Sequence, residues 1–168
     1  MELFDILDKH GNPTGQIAPK GTLLSPGQYY LGTHVYVYNS ALEFLIQQRA
    51  YDKKFLPGGW DVHLEHTMAG ETSVQCAARG LMEEIGLTAP ESSFRFVYRI
   101  VREEMNHIAD VYFLQTEFDM GTLDVPNNEV IAVKTIPKEK MLEMVAEMHC
   151  RPDEYRHQIR KQLLNNRI

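Results

Sequence analysis

The residues best able to do chemistry stand close together in the chain: Glu71, Arg79, Glu83 and Glu84, with Glu65 just ahead of them. Glu83 and Glu84 are adjacent, so on a helix they point about 100° apart, and one can line a cleft while the other reaches sideways. Arg79 precedes Glu83 by one helical turn, the spacing of an ion pair on a helix surface. Glu71 falls where loop becomes helix, at the end whose dipole favours an anion. A guanidinium can grip it there through two parallel bonds and fix loop to helix. Acidic oxygens gathered without His or Cys suit a hard cation, Mg²⁺ or Mn²⁺. Such an ion bridges phosphate oxygens and acidifies a bound water. A Glu–Glu pair taken alone is more often a solvated helix face; here the spacing of the whole stretch decides.

The elements that must position these groups follow from patterning. Gly70-Glu71-Thr72-Ser73 opens a helix to about Ile85, with Thr72 or Ser73 as cap and Gly86 where a left-handed residue is wanted. Its apolar positions Val74, Ala77, Ala78, Leu81, Met82 and Ile85 recur at helical spacing, so one face is buried. Ahead of it, Leu3–Leu7 reads as a strand and Asp8–Pro13 as a turn; Gly21–Gln28 is a loop before a strand at Tyr30–Tyr38, with Glu43–Arg49 as its hairpin partner. Lys54–Gly59 is a loop, and Trp60–Leu64 a short extended piece. Behind it, strands are predicted at Phe94–Val101, Asp110–Glu117 and Val130–Ile136. Helices are predicted from Pro137 to about Met148 and from Arg151 to near Leu164. Interleaved strands and helices give an α/β class with a mixed sheet.

At 168 residues with 43% hydrophobic and 24% charged residues, the chain has globular composition and enough length for a core without disulfides. No repeat or linker divides it, so one domain over residues 1–168 is expected, with residues 1–28 an amino-terminal extension. Seventeen basic against 23 acidic residues, net −6, argue against a nucleic-acid duplex as partner. They leave room for a small phosphorylated ligand carried with a cation. No apolar run approaches the roughly 20 residues of a membrane span. Cys76 and Cys150 are too few for a disulfide framework, and the acidic start does not read as a signal peptide, so a cytoplasmic protein is expected.

Written as G-x5-E-x7-R-E-U-x-E-E-x-G-U, with U aliphatic, residues 65–87 resemble the Nudix box of the Nudix hydrolase superfamily. Glu71, Arg79, Leu81, Glu83, Glu84, Gly86 and Leu87 fall in place, and the flanks Gln47-Gln48-Arg49, Pro57–Asp61 and Asn128-Glu129-Val130 are similar too. The resemblance implies an α/β/α sandwich, dependence on Mg²⁺ (or Mn²⁺) and hydrolysis of a nucleoside diphosphate linked to another moiety. It implies Glu83, Glu84 and Glu129 as metal ligands, and Glu71 and Arg79 as braces of the catalytic loop. Glu129 or an acid near Glu103 would be the base, and Arg49 a phosphate contact, although a surface ion pair suits Arg49 equally. A homodimer is compatible with the same likeness.

Two positions depart from the box: Glu65 stands where it has Gly, and Gly80 where it has Glu. Gly80 removes a carboxylate one turn before Glu84 and adds about 1 kcal/mol of helix penalty. Glu65, Glu103, Glu104 and Glu129 are the candidate replacements, with an ordinary charged loop residue the plainer reading of Glu65. The segment from Trp60 to Glu71 is also about a residue short. His34 and His63 read as ordinary strand histidines, Cys76 as a small buried hydrophobe, and Lys53-Lys54 as solubilising. Three functions follow: a Mg²⁺-dependent pyrophosphohydrolase; a non-catalytic or weakly active nucleotide-binding module disabled at Gly80; and an isopentenyl-diphosphate-isomerase-like enzyme. The last is disfavoured because Trp60–His66 contains no cysteine to donate a proton.

Overall fold

The structure, a computed structural model, describes residues 2–165. In chain order it contains β1 (Leu3–Leu7), β2 (Pro13–Pro19), β3 (Tyr30–Tyr38), β4 (Glu43–Arg49), β5 (Trp60–Asp61), β6 (His63–His66) and α1 (Ser73–Ile85). There follow β7 (Phe94–Arg102), β8 (His107–Gln115), β9 (Val130–Pro137), α2 (Lys138–Glu147) and α3 (Asp153–Leu164). The expected α/β class with a mixed sheet is what forms. β1 and β2 make a separate antiparallel hairpin, while the main sheet runs β5-β4-β3-β8-β7, with β6 also on β3 and β9 also on β4. Among the described residues only β3 and β8 pair in parallel.

β3 is buried on both faces, which suits its β-branched and aromatic run Val35-Tyr36-Val37-Tyr38. Val35 and Val37 face Ala77, Leu81 and Ile85 of α1, while Tyr36 and Tyr38 face a core closed by Met141, Val145, Tyr155, Ile159 and Leu163 of α2 and α3. These are the three layers of an α/β/α sandwich. The Tyr155 hydroxyl is shared with His34 Nδ1 and Tyr36 Oη, each at 3.0 Å, so the deepest polar atoms of α3 have partners.

The feature that matters most for the site is a split hairpin. β3 and β4 pair only at Val37–Leu45 and Tyr38–Phe44 and then part. The stretch from Trp60 to His66 crosses the opening, β5 on Gln47 and Gln48 of one strand, β6 on Gly32 to Val35 of the other. α1 lies over β3 and β6, and its sheet-facing residues Cys76, Ala77 and Gly80 are small enough to let it approach.

The structure corrects three expectations. Pro13–Pro19, for which no element is read from the sequence, is a strand exposed along nearly its whole length. The strand expected from Asp110 begins at His107. Glu65, weighed as a loop residue, lies on β6 opposite Thr33. None of the helices among the described residues is long and apolar enough to cross a membrane.

Candidate active site

The helix that carries the carboxylates is fixed at both ends. Thr72 Oγ1 accepts from Gln75 N–H and Gln75 Oε1 accepts from Thr72 N–H, a reciprocal cap, and Gly86 closes the helix at φ 71°. The loop ahead of it is held from the amino-terminal hairpin: Ala69 N–H donates to Leu3 O at 2.8 Å and Gly70 N–H to Asp5 Oδ2 at 2.7 Å.

Arg79 organises the site. Its Nε and Nη2 donate to the two oxygens of Glu71 at 2.8 and 3.0 Å, the two-pronged grip expected of that pair. Nη2 also donates to His66 O at 3.0 Å, and Nη1 to Glu83 Oε2 at 2.9 Å, with Glu65 Oε2 3.9 Å away. One guanidinium thus ties the loop at 66 and 71, the helix at 83 and strand β6 at 65. The Glu71 and Glu83 bonds raise the guanidinium's pKa, so it stays charged.

Glu83 and Glu84 diverge as adjacent helical residues must. Glu83 is exposed and held by Arg79. Glu84 turns inward, 7% exposed, and accepts from Gln47 Nε2 at 3.0 Å with His63 Nδ1 3.2 Å away. Burial opposes its charge, but His63, Gln47 and the field of Arg49 outweigh this and hold its pKa below the ordinary carboxylate value. Glu65, four-fifths buried in its side chain, goes the other way. Burial is the chief cause and the charge of Glu84 adds to it, against a 2.6 Å bond from His66 N–H and the pull of Arg79.

The structure places the remaining expected residues less centrally. Arg49 Nε donates to Phe55 O at 2.9 Å rather than to a surface acid, leaving its charge near Glu84. Glu129 sits just ahead of β9, its carboxylate engaged by Lys53 and not by the Arg79 network. Asn127 donates from the same loop to the backbone oxygen of Glu84, which ties that loop to the end of α1. Glu103 and Glu104 lie on the turn between β7 and β8, Glu104 held by Arg102, and neither joins the cluster. Cys76 is buried, as expected. Sequence reading passed over Gln47 and treated His63 as ordinary. The Gln47-Gln48-Arg49 flank carried the only hint of the first, and the partnership of His63 with a helix residue has no local sign.

Three carboxylates, Glu65, Glu71 and Glu83, thus surround one arginine, with Glu84, Arg49 and His63 near, an excess of negative charge in a half-buried place. Among the described residues no three acidic, histidine or cysteine side chains converge as a closed metal cluster. The donor set is nonetheless oxygen-rich and in surplus over its cations, the chemistry that suits a hard divalent ion.

The NUDIX domain family matches residues 29–156. The chain is 32% identical over 142 residues to an uncharacterized Nudix hydrolase of Listeria innocua, covering 84% of this chain and 83% of that protein. It is 31% identical over 153 residues to Nudix hydrolase 3 of Arabidopsis thaliana, covering 83% of this chain but only 20% of that longer protein. An isopentenyl-diphosphate Delta-isomerase of Pectobacterium atrosepticum is 29% identical over 158 residues, 89% of this chain and 83% of that one. In fold, a crystal structure of DR0079 from Deinococcus radiodurans superposes with TM-score 0.72 at 16% identity, over 95% of this chain and 98% of that one. The chain belongs to the Nudix family, and it is a Nudix-type hydrolase.

Proposed function

We propose that the protein hydrolyses a diphosphate linkage in a nucleoside diphosphate derivative or a related compound, with Mg²⁺, or Mn²⁺ in its place, as the working ion. The observation that carries this is the Arg79 network, which locks the loop at Glu71 to the helix bearing Glu83 and Glu84. A site kept only for packing has no use for three acids around one guanidinium. In this reading Glu83 and Glu84 hold the ion, with Glu129 as a further carboxylate from the loop that Asn127 ties to α1. The ion, when bound, neutralises charge on the bridging oxygens and acidifies a water. The chain's own part is positioning: Gln47 and His63 keep Glu84 ionised and aimed, Arg79 keeps Glu71 and Glu83 from swinging, and Arg49 meets a substrate phosphate. The whole chain acts as one unit in the cytoplasm, residues 1–28 bracing the catalytic loop.

The likeness to an isopentenyl-diphosphate Delta-isomerase supports a second reading, an isoprenoid diphosphate as ligand. No cysteine lies on β5 or β6 to donate a proton to carbon, so hydrolysis is favoured over isomerisation. The test is phosphate release across nucleoside triphosphates, nucleotide sugars, dinucleoside polyphosphates and isoprenoid diphosphates, with Mg²⁺ or Mn²⁺, for the native chain and Glu84→Gln. Metal-dependent release that falls at least about 100-fold in Glu84→Gln is expected, the scale of a lost electrostatic contact in a transition state. Release unaltered by that change would sink the assignment, and isomerised product without release would favour the second reading.

A further inference from the structure

We propose that the two departures from the box are one exchange: strand β6 delivers, through Glu65, the carboxylate that α1 does not carry at Gly80, and Glu65 is a metal-holding residue of this site. The inference rests on the functional reading above and adds a residue to it.

The geometry is reciprocal. A Cβ built on Gly80 would lie 2.9 Å from both Cβ and Cγ of Glu65 and 2.8 Å from His63 Nε2, closer than real Cβ contacts allow. The space a side chain at 80 would use is thus already filled, and filled by the residue that replaces the glycine at the other departing position. From there Glu65 reaches the same Arg79 Nη1 that holds Glu83, at 3.9 Å against 2.9 Å. Its carboxylate therefore joins the set without any helical residue bearing it.

An independent sign comes from His63. It is 3% exposed, its Nδ1 is taken up by Gln47 and Glu84, and its Nε2 is buried with no partner. That atom lies beside Glu65, against the position a side chain at Gly80 would take. A buried ring nitrogen left without a hydrogen-bond partner next to a carboxylate points to a polar ligand at that spot. A helix residue with a Cβ would close it.

The experiment measures Mn²⁺ affinity directly, by the loss of the free-ion electron paramagnetic resonance signal, alongside thermal unfolding without metal. The chains compared are native, Glu84→Gln, Glu65→Gln, and the double change Glu65→Gly with Gly80→Glu. Glu65→Gln preserves shape, so it is expected to unfold near the native temperature and to bind Mn²⁺ on the order of 10-fold or more weakly. The double change is expected to recover most of that loss, because it returns the carboxylate to the helix and clears its space on the strand. If Glu65→Gln binds as the native chain does while Glu84→Gln does not, Glu65 is only a filler; the proposal falls and the functional reading stands. A folded double variant that binds no better than Glu65→Gln likewise overturns the exchange. Absence of Mn²⁺ binding by the native chain overturns both readings together.

Discussion

Lysine in place of Arg79 keeps the charge and loses the fork. Arg79 donates to both oxygens of Glu71, to Glu83 and to the backbone at His66, and a single ammonium cannot span them. Arg79→Lys is therefore expected to lower stability by about 2 kcal/mol, since bonds between charged groups contribute about 1.5–3 kcal/mol each and part would be regained. Urea unfolding with an unchanged slope checks it. A purely Coulombic role for Arg79 predicts no loss. This scale was the most legible from sequence. The spacing of Glu71, Arg79 and Glu83 already stated the grip and the ion pair, because both are local to one helix and its leading loop. Gln47 and His63 escaped because they meet Glu84 across the sheet, and Glu129 rests on likeness alone, its carboxylate paired with Lys53 in the structure.

On the scale of elements, α1 sets a general rule against a particular contact. Alanine is worth about 1 kcal/mol over glycine inside a helix, so Gly80→Ala should stabilise an exposed turn. Here the added methyl would sit 2.8 Å from His63 Nε2 and 2.9 Å from Glu65. Overfilling a packed place costs about 1–3 kcal/mol, so the sign reverses and Gly80→Ala is expected to unfold at lower temperature than the native chain. With Glu65→Gly in the background the penalty should shrink. A stabilised Gly80→Ala would mean the helix sits farther from β6 than described. The helix, its cap and its glycine stop were all readable from sequence. The reason for the interior glycine was not, because the residue it accommodates lies on a strand that periodicity alone ended at Leu64. β2 was missed for a related reason: its exposure removes the alternation by which a strand announces itself.

Across the whole molecule, burial of histidines sets how the protein meets acid. Burial drives His107 from 6.5 to about 3, and it lowers His34 and His66 as well. A histidine depressed in the fold contributes stability that is complete above its unfolded value and is lost as pH falls toward its folded one. Stability is therefore expected to decline as pH drops below about 6.5, by up to about 1.4 kcal/mol per pH unit for each such group. His107→Gln should show a shallower decline in urea midpoints between pH 7 and 4, and an unchanged slope would reject the assignment. Sequence alone could supply the histidines but not their depth, which depends on β3 lying between β6 and β8. The hairpin of β1 and β2 carries a separate consequence. The NUDIX domain match begins at residue 29, yet the loop bearing Glu71 hangs from Leu3 and Asp5. The border of the domain match and the border drawn by mechanics do not coincide. A piece cut at the first would surrender the partners of Ala69 and Gly70 to water, so any tag, fusion or trimming at the amino end is an intervention at the site itself.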